Sequence, residues 1–138
     1  MKRKYIFIVF IVILSVALFM VYQIFFIPTQ IIEDVNTSHI VRIQYNVDNT
    51  GKFIDVDNYD ETKILNYLNT CNERRTLHKA GKYFLSDVTI EIIIRTDIGP
   101  KDILLGNINY SSYGTGTTKY EILNSNEVTT ALLEILNL

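Results

Sequence analysis

The feature that most constrains this chain is an uncharged apolar run near its N-terminus. Residues 5–27 hold 21 apolar residues out of 23, and only Ser15 and Gln23 interrupt them. As an α-helix the run would be about 34 Å long, at about 1.5 Å per residue, whereas the hydrocarbon core of a bilayer is about 30 Å thick. A helix also satisfies its own backbone polar groups, as lipid requires. The sequence therefore predicts one transmembrane helix over residues 5–27, with the lipid bilayer as its partner.

The charges on either side of this run predict its orientation. Lys2, Arg3 and Lys4 precede it, and the first charges after it are Glu33 and Asp34. Positive charge accumulates on the cytoplasmic side of membrane proteins. We therefore expect a single-pass protein of the cell membrane, with residues 1–4 as a cytoplasmic tip and residues 28–138 outside.

A cleaved signal peptide is the alternative interpretation of the same run. Signal peptides have an apolar stretch of about 7–15 residues followed by a cleavage site of small residues. Here the run is longer and ends in Phe26 and Ile27, directly before Pro28. These features favour an uncleaved anchor.

The composition of the remaining chain excludes some classes of partner. Without the three N-terminal cations, ten basic and fifteen acidic residues remain, a net charge of −5. An acidic domain is a poor nucleic-acid binder, because phosphate contacts need clustered cations. A single cysteine, Cys71, rules out a disulfide within the chain.

Residues 28–38 are interpreted as a stalk, and residues 39–138 as one extracytoplasmic domain. Apolar residues alternate with polar ones in five segments, which predicts strands over residues 39–47, 53–56, 88–95, 102–106 and 120–123. Residues 72–86 are polar and are predicted to form a loop or an irregular edge, and Tyr110 to Thr118 is predicted to be a loop. Turn residues between the first two strands predict a β-hairpin.

Two helices complete the predicted domain. In the first, Asn58 is the predicted N-cap and Glu61 follows three residues later, as in a capping box; Ile64, Leu68 and Cys71 form its apolar stripe. The second follows residue 124 and runs to the C-terminus. The predicted fold is α+β, in the order β-β-α-β-β-β-α, with both helices on one face of an antiparallel sheet.

No motif reaches the standard of a catalytic, cofactor or metal site. The acidic cluster over residues 55–61 has Tyr59 and Asp60 where a calcium loop needs an oxygen ligand and a glycine. The glycine-containing segment before Lys119 lacks the order of a phosphate-binding loop. The two histidines, His39 and His78, have no neighbouring ligand. We therefore predict no catalytic residue, no cofactor and no metal.

Two groups of residues are candidates for a partner surface. One is a basic stretch that also includes His78, and the other belongs to a segment rich in tyrosine. Ordinary solvated loop charges and strand tyrosines explain the same residues. The candidates are Arg74, Arg75, Lys79, Lys82, Tyr110 and Tyr113.

Residues 39–137 resemble a small extracytoplasmic α+β domain family of unknown function from low-GC Gram-positive bacteria. The matching pieces are Ile40 to Ile43, the turn Asn49 to Lys52, Phe53 to Val56, Asp60 to Leu68, Val88 to Arg95 and Val128 to Leu136. The family's usual aromatic in the third strand is replaced here by isoleucines. The resemblance implies a bacterial cell-envelope protein behind a single anchor, and it carries over no functional residue.

Three functions are compatible with this organisation. The first is a non-enzymatic binding or sensing domain whose partner is another envelope protein or a peptide. The second is an immunity or exclusion protein that neutralises a toxin at the envelope. The third, a hydrolase acting on the cell wall, needs a cluster of carboxylates or a Cys/His pair that the sequence does not display.

Overall fold

The computed structural model describes residues 2–76, 84–114 and 118–138. Within these ranges the chain forms three α-helices and eight strands. The helices are α1 (Lys2–Phe26), α2 (Glu61–Thr70) and α3 (Ser125–Leu136). The strands are β1 (Thr29–Gln30), β2 (His39–Asn46), β3 (Phe53–Asp55), β4 (Asn72–Thr76), β5 (Val88–Arg95), β6 (Pro100–Gly106), β7 (Tyr110–Tyr113) and β8 (Lys119–Ile122).

All eight strands belong to one antiparallel sheet. Their order across the sheet is β1-β4-β8-β7-β6-β5-β2-β3. Strands β5 to β8 form a continuous meander, because each pairs with the next along the chain. The predicted α+β class and the antiparallel sheet are confirmed.

The core lies between α2, α3 and one face of the sheet. Alternate residues of β5 point inward, so Ile90, Ile92 and Ile94 are fully buried. From the helices, Ile64, Leu68 and Leu132 meet them. These isoleucines and leucines supply the apolar burial that stabilises the domain.

The segment predicted to be a stalk begins inside the fold. Thr29–Gln30 adds strand β1 to the edge of β4, and Ile31 and Ile32 are 0% and 1% exposed in the core. The Ile31 N–H donates to the carbonyl of Cys71. The prediction of a stalk over residues 28–38 is therefore wrong for its first half, because a pair of adjacent isoleucines gives no strand alternation to recognise.

Two segments predicted to be loops contain strands. β4 pairs with β8 from Glu73 to Thr76, and β7 pairs with β6 and β8. Both are polar strands, so the hydrophobic alternation that marks a strand is absent from their sequences. Cys71, predicted to be a core residue, is buried at 8% exposure, and burial raises the pKa of its thiol.

Helix α2 begins two residues later than predicted. Its N-cap is Asp60, whose carboxylate accepts from the Lys63 N–H, rather than Asn58. Glu61 does not complete a capping box and instead accepts from the Ile40 N–H of β2 at 2.6 Å. This contact ties the start of the helix to β2, the second strand from one edge of the sheet.

Helix α1 projects from the domain and exposes its apolar side chains. The window Lys4–Phe26 is long and apolar enough to cross a membrane, and none of it is buried. Length and composition of this kind are shared by membrane anchors and by N-terminal signal sequences. At its C-terminal end the helix contacts β4, where the Arg75 guanidinium lies 5.3 Å from the centre of the Phe25 ring.

Candidate functional site

A lysine and a glutamate are buried together on the inner face of the sheet. Lys101 is 0% exposed and Glu73 is 2% exposed. Lys101 lies on β6 in phase with buried Ile103 and Leu105, and Glu73 lies on β4. The Nζ of Lys101 is 2.6 Å from Oε1 of Glu73. The ion pair offsets the cost of burying these two charges, because an isolated charge in the core is strongly destabilising.

The hydrogen bonds of the pair are complete. Besides Glu73, the Lys101 ammonium donates to the Ile31 carbonyl at 2.6 Å and to the Tyr113 hydroxyl at 3.3 Å. An ammonium has three donors, so all three are used. The second oxygen of Glu73 accepts from the Ser111 hydroxyl at 2.5 Å. Side chains and backbone from β4, β6, β7 and the segment after β1 therefore meet at one point.

Burial shifts the pKa of each charged member toward its neutral form. It lowers the pKa of Lys101 and raises that of Glu73, while the attraction between the two opposes both shifts. The pKa of Tyr113 is raised to about 12, mainly by burial and then by the nearby carboxylates of Glu73 and Glu33. Tyr113 therefore remains a neutral phenol at physiological pH.

Two tyrosine rings cover the lysine. Tyr113 and Tyr120 meet edge to face with their centroids 6.1 Å apart. The Lys101 Nζ lies 4.6 Å from the Tyr113 centroid and 5.7 Å from that of Tyr120. These distances fall in the range of cation–π attraction, which adds to the stabilisation of the buried charge.

A pocket of about 380 Å³ opens beside this cluster. The pocket lies at one end of the strands, where β4, β5 and β7 finish and where β6 and β8 begin. We call this end of the sheet the α1-side edge, because α1 joins the sheet there. Most of the lining comes from residues of the chain just after α1 and from the tyrosine pair. The lining residues are Thr29, Glu33, Glu73, Ile98, Tyr113, Thr118 and Tyr120.

The partner-surface residues predicted from the sequence do not form one surface. Directly paired residues of an antiparallel sheet share a face. Arg75 pairs with Tyr120 on the inner face, where Tyr113 also lies. Arg74 and Tyr110 both pair with Glu121 on the opposite face. Of the four, only Tyr113 lines the pocket.

Arg74 has a partner on that opposite face, and the two remaining candidates lie outside the described residues. Arg74 is engaged by Glu121, with 3.1 Å between guanidinium and carboxylate. Lys79, Lys82 and the adjacent His78 fall within residues 77–83, which are outside the described ranges.

The acidic cluster over residues 55–61 serves local structure. Asp55 accepts from the Gln44 amide, and Asp60 and Glu61 bond to backbone N–H groups as described above. Among the described residues, no group of three or more His, Cys, Asp or Glu side chains is arranged to hold a metal ion.

The sequence interpretation missed Lys101, Glu73 and Glu33. Lys101 precedes the predicted strand 102–106, although it continues the alternation of Ile103 and Leu105 by one step. That phase is the one signal that marks it as inward-facing. No protein-family model, curated protein or solved structure matches this chain.

Proposed function

We propose that this chain is a single-pass membrane protein whose domain lies outside the cytoplasm and binds a ligand or partner through the pocket at the α1-side edge. One observation carries the proposal. The pocket is built from residues just after α1 and from the sheet, so Thr29 and Glu33 line it together with Tyr113 and Tyr120. A concave site beside a membrane-spanning segment is well placed to bind ligands close to the bilayer surface.

The charge distribution supports the orientation. Lys2, Arg3 and Lys4 precede the apolar helix, and acidic Glu33 and Asp34 follow it. The positive-inside rule assigns the basic end to the cytoplasm. The resemblance of residues 39–137 to an extracytoplasmic domain family of the bacterial envelope agrees with this assignment.

The buried cluster supports binding rather than catalysis. Lys101 is fully buried and uses its three donors, and Glu73 accepts from both Lys101 and Ser111. A nucleophile or general base must reach the substrate atom on which it acts. These groups face one another instead, which is typical of a structural network that shapes a pocket wall.

The same cluster supports a sensing role. Lys101 donates to the carbonyl of Ile31, five residues beyond the last residue of α1. A ligand in the pocket would therefore act on the segment around Ile31, which is hydrogen-bonded to the sheet and continuous in sequence with the membrane helix. This connection gives a ligand a physical route to the anchor.

Cysteine labelling on intact cells tests the orientation. We expect Glu134→Cys, at an exposed position of α3, to react with a membrane-impermeant maleimide without permeabilisation. The wild-type chain is the matched control, because its one cysteine is buried and should react only after denaturation. Labelling of Glu134→Cys only after permeabilisation would contradict the orientation, and a mature chain that begins after Ile27 would contradict the anchor.

A further inference from the structure

We propose that the pocket at the α1-side edge binds a small organic ammonium ion, such as an amine or an amine-bearing headgroup. The inference deepens the proposed function and rests on its claim that this pocket is a binding site. Three properties of the pocket favour this ligand: the negative charge at its mouth, the aromatic side chains of its wall, and the buried Lys101, whose three hydrogen-bond donors are already used.

The mouth of the pocket is negatively charged. Glu73 is compensated by Lys101 at 2.6 Å, which leaves Glu33 as the additional charge of the lining. Among the described residues, no cation forms an ion pair with the Glu33 carboxylate. Burial is the main cause of the raised pKa of Tyr113, and the carboxylates of Glu73, Glu33 and Asp97 raise it further because they oppose ionisation of its hydroxyl.

The aromatic wall suits an ammonium group. Lys101 already places an ammonium 4.6 Å and 5.7 Å from the centroids of Tyr113 and Tyr120. Aromatic rings combined with a carboxylate are a common way to bind amines and quaternary ammonium ions. The two tyrosine rings therefore contact the buried Lys101 ammonium and also line the pocket together with Glu33.

An anion is the poorer fit. Lys101 is fully buried, and its donors are taken by Glu73, Ile31 and Tyr113. It has no donor left for a carboxylate or phosphate, and Glu33 would repel either one. The volume of about 380 Å³ lies near the lower end of ligand pockets, about 300–1,000 Å³, so a small ligand is favoured.

Titration of the full chain in phosphatidylglycerol nanodiscs tests the inference. The probe is 1,5-diaminopentane, followed through the amide NMR signals of Ile98 and Thr118 in the pocket lining. Two compounds of similar length, 1,5-pentanediol and glutarate, control for shape and for charge sign. We expect saturable shifts with the diamine and no saturable shifts with the diol or the diacid.

A pair of charge-matched variants assigns the effect to the pocket. Glu33→Gln should weaken diamine binding by about 1.4- to fivefold, the range expected for one exposed charge pair. Glu134→Gln removes the same charge from an exposed position of α3 and should leave the affinity unchanged. If Glu33→Gln does not fold, Asp97→Asn replaces it, because Asp97 also acts on Tyr113.

Nanodiscs that contain phosphatidylethanolamine separate the two sources of ammonium. Shifts at Ile98 and Thr118 without added diamine would identify the lipid headgroup as the ligand, and their absence would identify a free amine. Equal binding of diol and diamine, tighter binding of glutarate, or no effect of both carboxylate variants would overturn the inference. Such a failure is distinct from failure of the proposed orientation, which the labelling of Glu134→Cys reports independently.

Discussion

Lys101 shows how a single charged residue can organise the interior of a small domain. Transfer of an ammonium and a carboxylate from water to the core is costly, and their mutual attraction offsets that cost only with good geometry and further hydrogen bonds. Here both conditions hold, through the 2.6 Å contact with Glu73 and the bonds to Ile31, Tyr113 and Ser111. The pair therefore selects one arrangement of the strands around it.

We expect Lys101→Met to destabilise the protein severely at neutral pH. The substitution leaves Glu73 buried without its cation, and loss of one partner of a buried pair typically costs about 3–5 kcal/mol. Urea unfolding of the full chain in detergent micelles, followed by far-ultraviolet circular dichroism, measures the loss. Lys63→Met removes an exposed lysine of α2 and should change the free energy of unfolding by less than about 0.5 kcal/mol.

The destabilisation by Lys101→Met should depend on pH with a definite sign. Burial already raises the pKa of Glu73, and the attraction of Lys101 opposes that shift. Without Lys101 the folded state holds the proton on Glu73 more tightly than the unfolded state, where the pKa of a glutamate is about 4.3. Stability of the variant then falls as pH rises from that value through the folded pKa. The loss relative to wild type should be smaller at pH 4.5 than at pH 7.5.

The double variant Lys101→Met with Glu73→Gln keeps this prediction testable if the single variant does not fold. Removal of both charges leaves no uncompensated ion in the core, so most of the lost stability should return. A double variant as unstable as Lys101→Met would show that the charge of Glu73 is not the cause.

Local sequence could not have predicted this pair. A lysine after Gly99 and Pro100 is typical of a solvated turn, and Glu73 lies in a polar run followed by two arginines. The phase of Lys101 with Ile103 and Leu105 marks one member as inward-facing, but its partner lies 28 residues away along the chain, with two strands of the sheet between them, so no local pattern connects the two. Cys71 and Ile64 were predictable as core residues because helical spacing alone places them on one stripe.

At the scale of elements, the hairpin of β5 and β6 is shaped by an irregularity at its far end. The register shifts between Val88 and Ile90 opposite Gly106 and Leu105. Gly106 has φ +148°, and a Cβ there would lie 2.6 Å from the Asp87 carbonyl oxygen and 2.7 Å from the Thr89 nitrogen. Only glycine allows this approach, since both neighbours are backbone atoms.

We predict that Gly106→Ala destabilises the protein more than Gly99→Ala. Gly99 also has a positive φ, +140°, but a Cβ there would meet nothing within 4 Å. Gly99→Ala should therefore cost only the backbone strain of about 1–3 kcal/mol, whereas Gly106→Ala adds a steric cost of about 1–3 kcal/mol. Thermal unfolding of both variants measures the difference, and equal melting temperatures would show that the close contact at Gly106 is relieved by a small shift of the chain.

The elements that the sequence predicted are those that face the core with apolar residues. Apart from Ile93, apolar residues of β5 alternate with polar ones, so Ile90, Ile92 and Ile94 identify both the strand and its inner face. β4 places Glu73 and Arg75 inward, where a salt-bridge network and the Phe25 ring replace apolar neighbours. A strand whose inward residues are charged has no hydrophobic period, and only the assembled sheet shows its phase.

At the scale of the whole molecule, the apolar helix α1 and the domain are joined without a spacer. Two residues separate the end of α1 from β1, and the core isoleucines Ile31 and Ile32 follow directly. The Ile31 carbonyl accepts from Lys101 and its N–H donates to Cys71. The folded unit therefore begins at about residue 28, eleven residues earlier than the alternation of apolar residues predicts.

This boundary predicts opposite behaviour for two soluble fragments. Residues 28–138 retain β1 and both isoleucines and should unfold cooperatively. Residues 39–138 lose two fully buried side chains, each worth about 2–5 kcal/mol when truncated to alanine, and leave one donor of buried Lys101 without its acceptor. That loss is comparable to the total stability of a small domain, about 5–15 kcal/mol, so the shorter fragment should show no sharp thermal transition and poorly dispersed amide signals.

The fragment comparison separates a structural segment from a spacer. Circular dichroism melting and amide NMR spectra of the two fragments at equal concentration provide the measurement, and residues 28–138 with Ile54→Ala serve as a control. Ile54 is 45% exposed, so its truncation removes a comparable side chain without opening the core and should preserve a sharp transition. Equal melting temperatures for residues 28–138 and 39–138 would mean that residues 28–38 act as the stalk that the sequence alone predicts. A transition present only in the longer fragment would place the first core residues of the domain within a few residues of the apolar helix α1.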